Sequence, residues 1–107
     1  MTTLPLTQDM VELRLPIREF VADGAPRTAV ATRIGPNGIE IECPEAPPGR
    51  YAWVGVLLPD GSPIKALVEV MGVLGGGTGL RILARFKHLF PADRRALDRA
   101  LAARIAA

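Results

Sequence analysis

Arg33-Ile34-Gly35-Pro36-Asn37-Gly38-Ile39-Glu40-Ile41-Glu42 is the stretch whose reading decides the fold. Its second half alternates apolar and acidic residues with the period of two that belongs to a half-buried strand. The preceding run, Thr28 to Ile34, carries Val30 and Ile34 on alternate positions, and Gly35 to Gly38 supplies turn residues between the two. Two strands joined by a tight turn form a hairpin, and the rest of the chain is read outward from it.

Upstream, Val11, Leu13, Leu15 and Ile17 alternate with Glu12, Arg14, Pro16 and Arg18, which predicts another strand ending at an Asp23-Gly24-Ala25-Pro26 turn. Pro16 has no N–H to give to a ladder, so this strand is expected at an edge. Downstream, a Pro44-Glu45-Ala46-Pro47-Pro48-Gly49 loop leads to Tyr51–Leu58, then a Pro59-Asp60-Gly61-Ser62 turn, then Ile64–Val73. A Gly75-Gly76-Gly77-Thr78-Gly79 loop introduces Leu80–Phe86. An open sheet of six such strands would leave long edges, and closure removes them. Pro91 then opens a helix, with Asp93 in its first turn and Leu97, Leu101 and Ile105 on one stripe that must cover apolar barrel surface. Arg94, Arg95, Asp98 and Arg99 occupy its other face, with Arg94 and Asp98 spaced as an i, i+4 pair. The expected fold is therefore all-β dominated: a six-stranded antiparallel barrel with one C-terminal α-helix.

Composition limits what such a barrel can do. A chain of 107 residues suits one core, here residues 10–107, preceded by a segment at 1–9. That segment reads either as an extra strand packing through Leu4, Leu6 and Met10 or as a tail ordered by a partner. No apolar stretch reaches the roughly 18 to 20 residues of a membrane span, so a cytoplasmic location is the default expectation. Cys43 is the single cysteine and His88 the single histidine, too few for a disulfide or a recognisable metal site. The basic residues are eleven arginines against Lys65 and Lys87, and guanidinium favours paired contact with phosphate or carboxylate.

Individual residues carry both structural and functional readings. Arg14 and Arg18, four apart on a strand, would share a face about 13 Å apart. They either bracket an extended anion or stand as solvated charges paired across strands with Glu12 or Glu40. Gly38 reads as a turn glycine needing positive φ. Tyr51 and Trp53 fall on one strand face, as core or, with Phe20, as an exposed aromatic patch. The Gly75–Gly79 loop lacks the Gly-Lys-Ser/Thr ending of a phosphate cradle and reads as a hairpin loop. No nucleophile or acid/base pair accompanies His88, so no enzyme is expected. The helix's basic face lacks interleaved aromatics and is offset by Asp93 and Asp98, so no nucleic-acid partner is expected.

The order of these elements resembles the PilZ domain, a small bacterial barrel with a C-terminal helix. The resemblance runs from about Leu13 to Ile105, through Thr32–Ile41, Pro47-Pro48-Gly49, Leu57–Gly61, Ala66–Val70, Gly79–Ile82 with Phe86, and Asp93–Leu97. It implies a receptor or adaptor in motility, pilus, biofilm or exopolysaccharide control. PilZ domains typically hold cyclic di-GMP through R-x-x-x-R and D-x-S-x-x-G motifs. Arg14 and Arg18 fit the first by spacing, and Arg33, Gly35 and Gly38 fall on the second. Aspartate is thus replaced by arginine and serine by glycine. Arg33 can only donate hydrogen bonds where an aspartate would accept them. The resemblance therefore implies a non-enzymatic adaptor with a degenerate nucleotide site, docking on a motility or secretion protein through the barrel face or the helix residues Arg94, Arg95 and Arg99. The alternative is a true cyclic di-GMP receptor using Arg14, Arg18 and Arg33 in altered geometry. No bound cofactor is otherwise expected.

Overall fold

The computed structural model describes residues 10–22, 25–26, 28–76 and 79–106. In chain order the strands are β1 (Val11–Ala22), the two-residue β2 (Ala25–Pro26), β3 (Val30–Ile34), β4 (Gly38–Cys43), β5 (Tyr51–Leu57), β6 (Pro63–Gly76) and β7 (Gly79–Leu89), followed by helix α1 (Pro91–Ala106). Strands β1, β3, β4, β7, β6 and β5 pair in that order, and β5 pairs back to β1. Every pairing is antiparallel, so the expected closed six-stranded barrel with one C-terminal helix is the fold. The segment 1–9, Asp23-Gly24 of the first turn and Gly77-Thr78 of the glycine loop lie outside the described residues. No helix among the described residues is long and apolar enough to cross a membrane.

The first strand departs from expectation. β1 is not an edge but the strand that closes the ring: Val11 to Pro16 lie against β3, and Ile17 to Val21 lie against β5. Pro16 stands where one neighbour gives way to the other, a position that tolerates a missing ladder donor as an edge would. The register shifts again between Ile17 and Glu19, which moves the inward phase from Leu15 to Phe20. Phe20 therefore belongs to the core at 2% exposure and to no surface patch. On β5, Ala52, Val54 and Val56 point inward, leaving Tyr51 exposed and Trp53 half-buried on the outer face. Trp53 is thus not core, and Lys65 Nζ sits 5.7 Å from its ring centroid.

Ile34, Ile39, Ile41, Val54, Val68 and Ile82 fill the barrel, and Leu97 of α1 joins them without exposed surface. Burial of each such side chain contributes roughly 1.5–3 kcal/mol. Ala96 and Leu101 join Leu97 on the buried stripe of the helix, and the side chain of Ile105, expected on the same stripe, lies outside the described residues. Two polar contacts fix its first turn at the end of the barrel that carries the β3–β4 and β5–β6 turns. The Lys65 backbone N–H donates to Asp93 Oδ2 at 3.2 Å, and Arg94 Nη1 donates to the Pro36 carbonyl at 2.6 Å. The expected Arg94–Asp98 pair is present at 3.7 Å.

Leu97→Ala removes a helix side chain with no exposed surface and is expected to cost about 3 kcal/mol, within the usual range for a buried leucine. Urea unfolding followed by circular dichroism measures this. An unchanged midpoint would mean that the helix is not part of the cooperative unit.

Candidate functional site

The outer face of β3 and β4 is built from cross-strand rows. Glu12 of β1 stands opposite Arg33 of β3, Arg33 opposite Glu40 of β4, and Glu40 opposite Leu83 of β7. A register shift between Ala31 and Arg33 makes Thr32 an extra residue, so Thr32 and Arg33 both reach Glu40. Arg33 Nη2 donates to Glu40 Oε2 at 2.7 Å, and the Thr32 hydroxyl donates to Glu40 Oε1 at 2.8 Å. With both oxygens engaged, Glu40 is buried to 5% exposure although it lies on the outside of the barrel.

Burial by itself would raise the Glu40 carboxyl, but the hydrogen bonds from Arg33 and Thr32, with the nearby charges of Arg33 and Arg81, outweigh it and hold the group below the ordinary glutamate value. Its partner responds in kind: the Glu40 hydrogen bond raises the Arg33 guanidinium above its usual value against a smaller desolvation cost. Arg33 is therefore a committed cation.

Above this pair lies an open groove of about 650 Å³, lined by Glu12, Leu13, Arg14, Thr32, Arg33, Glu40, Glu42, Arg81 and, from the last turn of α1, Arg104. Of the residues expected to hold an anion, Arg14 and Arg33 meet here. Arg18 does not line the groove, because it follows Pro16 onto the half of β1 that runs along β5. Arg14, Pro16 and Arg18 are all exposed, and the alternation changes phase only beyond Arg18, so what parts the two arginines is the change of neighbouring strand at Pro16. Glu40, expected as a partner of Arg14 or Arg18, is bonded to Arg33 instead.

Gly35 and Gly38 also lie away from the groove lining and are buried. The Gly35 N–H donates to the Gly38 carbonyl at 2.9 Å, the Asn37 carbonyl accepts from the Phe86 N–H at 2.9 Å, and the Pro36 carbonyl holds Arg94. The turn is thus a brace between β7 and α1. Gly38 opens strand β4, while among the described residues the glycine with a left-handed backbone is Gly61, φ +90°, in the β5–β6 hairpin. On α1, Arg94 is occupied by Pro36 and Asp98, whereas Arg95 and Arg99 are exposed.

Arg81 and Arg104 escaped the sequence reading. Arg81 comes to the groove through the pairing of β7 with β4, two strands that no turn connects, so its place opposite Glu42 could not be counted from the sequence. Arg104 had no local signal, because its place in the groove depends on the path of the helix across the barrel. A second buried carboxylate repeats the local chemistry: Glu69 of β6, 8% exposed, takes Arg85 Nη2 at 2.6 Å and lies 3.8 Å from Arg50 Nε.

No family model matches the chain, and no curated protein is similar to it in sequence. Among solved structures the chain is similar in fold to the Bacillus subtilis inhibitor of motility (MotI/DgrA). The two superpose with a TM-score of 0.81 at 11% sequence identity, over 99% of this chain and 53% of that one. The chain thus spans about half the length of that protein, and the likeness is one of fold.

Glu40→Gln leaves Arg33 facing a neutral amide and is expected to cost about 1–3 kcal/mol at neutral pH. Because the folded-state carboxyl is held low, its contribution is complete above the unfolded-state value and is lost as pH falls through the folded-state one. The stability gap between parent and variant should therefore shrink on acidification below pH 5 or so. Urea titrations across that range measure it, and a gap that stays constant would count against the ionised pair.

Proposed function

We propose that this chain is a non-enzymatic, PilZ-like regulatory adaptor that works through a protein partner in bacterial motility, pilus control or related cyclic di-GMP-linked signalling, with a nucleotide site that no longer takes the nucleotide. Its fold likeness to an inhibitor of motility supports the regulatory half of this reading. The degenerate site rests on one observation: Arg33, at the position of the motif's aspartate, is bonded to a buried Glu40. A dianionic ligand entering the groove would meet Glu12, Glu40 and Glu42 as well as the guanidiniums. Separating Arg33 from Glu40 to free it for phosphate would leave a buried carboxylate uncompensated, at a cost of several kcal/mol.

The partner surface in this reading is the solvent face of α1, where Arg95 and Arg99 are exposed and suit an acidic patch. The rival reading, a cyclic di-GMP receptor, draws on Arg14, Arg81 and Arg104, which face the groove beside the committed Arg33. It loses Arg18, which stands on the other half of β1.

Calorimetric titration of the purified chain with cyclic di-GMP separates the two. The adaptor reading expects no saturable heat at micromolar ligand. Binding that is abolished by Arg14→Ala yet survives Arg18→Ala would establish the receptor instead. In the adaptor case, charge reversal at Arg95 and Arg99 is expected to release the motility-linked partner while leaving the unfolding midpoint within about 0.5 kcal/mol of the parent.

A further inference from the structure

We propose that the free flank of β6, residues 71–76, pairs antiparallel with the same segment of a second copy of this chain, a self-association independent of the groove and of any nucleotide. The pairing of β5 with β6 stops at Tyr51 opposite Glu69, and the next N–H, that of Val70, goes to the Arg50 carbonyl at 2.6 Å. On its other side β6 stays paired with β7 as far as Gly76 opposite Gly79. Among the described residues, 71–76 therefore has a strand on one flank only. It is open to solvent as well: Met71, Val73 and Leu74 are 49%, 45% and 63% exposed.

Natural sheets guard such edges with lysine, proline, inward charges or a bulge. Val70-Met71-Gly72-Val73-Leu74-Gly75-Gly76 contains no charge and no proline. The one irregularity is the register shift between Val70 and Gly72, and the ladder runs regularly from Gly72 to Gly76 beyond it. An unguarded, hydrogen-bonding, apolar edge is a template for another strand.

Charge selects the occupant. A charged peptide finds no counter-charge along this stretch, whereas a second copy brings a neutral edge to a neutral edge. The nearest charge in the Leu74 row is Arg81, one strand back on β7, with Glu42 beyond it on β4, so self-pairing buries no ion at the new ladder. Antiparallel pairing of identical edges is also closed, because a two-fold axis generates it and no third copy can add. The axis keeps inner and outer faces in register, so it falls on Val73 or Leu74. Leu74 then lies directly opposite or diagonal to its own symmetry mate, within side-chain reach. Six residues of edge span about 20 Å and bury less than a standard interface, so the dimer is weak and concentration-dependent.

Sedimentation velocity on the full chain, from low-micromolar to near-millimolar concentration, tests this with Leu74→Lys and Leu74→Glu alongside. The parent is expected to shift from monomer to dimer as concentration rises. Each charged variant, with the parent's circular dichroism spectrum retained, is expected to stay monomeric, and an equimolar mixture of the two should recover the dimer through opposite charges at the axis. A parent that is monomeric throughout, a lysine variant that dimerises like the parent, or a mixture that fails to recover would each overturn the proposal. The first of these would leave the edge to an extended segment of another protein.

Discussion

Closure of the barrel depends on one strand serving two neighbours. β1 pairs with β3 through its first half and with β5 through its second. Without that division the remaining strands form an open sheet with long unpaired flanks, and the buried side chains that converge on the interior lose one wall. Two details of β1 follow from this. Pro16 occupies the handover, and a bulge beyond it rotates the inward phase so that Leu15 and Phe20 both reach the core. The handover at Pro16 also leaves Arg14 on the half of β1 beside β3 and Arg18 on the half beside β5.

A second theme is that the outer surface uses its arginines internally. Glu40 and Glu69 are both nearly buried on an outward-facing side of the sheet, and each is covered by an arginine from an adjacent strand, Arg33 and Arg85 respectively. Breaking such a pair by removing one partner costs more than the pair contributes over an apolar alternative, because the remaining charge is stranded. An arginine-rich composition therefore overstates the free positive charge that a ligand would meet. The groove beside Glu40 presents guanidiniums and carboxylates together, which suits a partner with matched polar groups better than a bare polyanion.

Much of the architecture was legible in the chain. The period of two marked four of the six barrel strands, the glycine and proline clusters delimited the other two, β5 and β6, and Leu97 and Leu101 marked the buried side of the helix. What alternation misses are the positions where it is interrupted. The shifts at Thr32 and between Ile17 and Glu19 leave no trace in composition, yet they decide which polar side chains meet. Trp53 illustrates a related limit, since a large aromatic on a barrel strand can lie flat on the outside when small residues such as Ala52 and Val54 fill the interior. The groove was only half visible: Arg14 and Arg33 could be named from the sequence, whereas Arg104 enters from an element that is distant in the chain.

The order of pairing also divides the barrel into two sequential pieces. β1, β3 and β4 form one three-stranded meander and β5, β6 and β7 another, joined by the segment 44–50 and sealed along two seams, β1 with β5 and β4 with β7. Contacts within each meander are local and inexpensive in loop entropy, whereas both seams join residues far apart in sequence. The loop-closure entropy of the barrel is thus concentrated in those two seams, and the short proline-containing connector limits the arrangements in which the two ribbons can face each other.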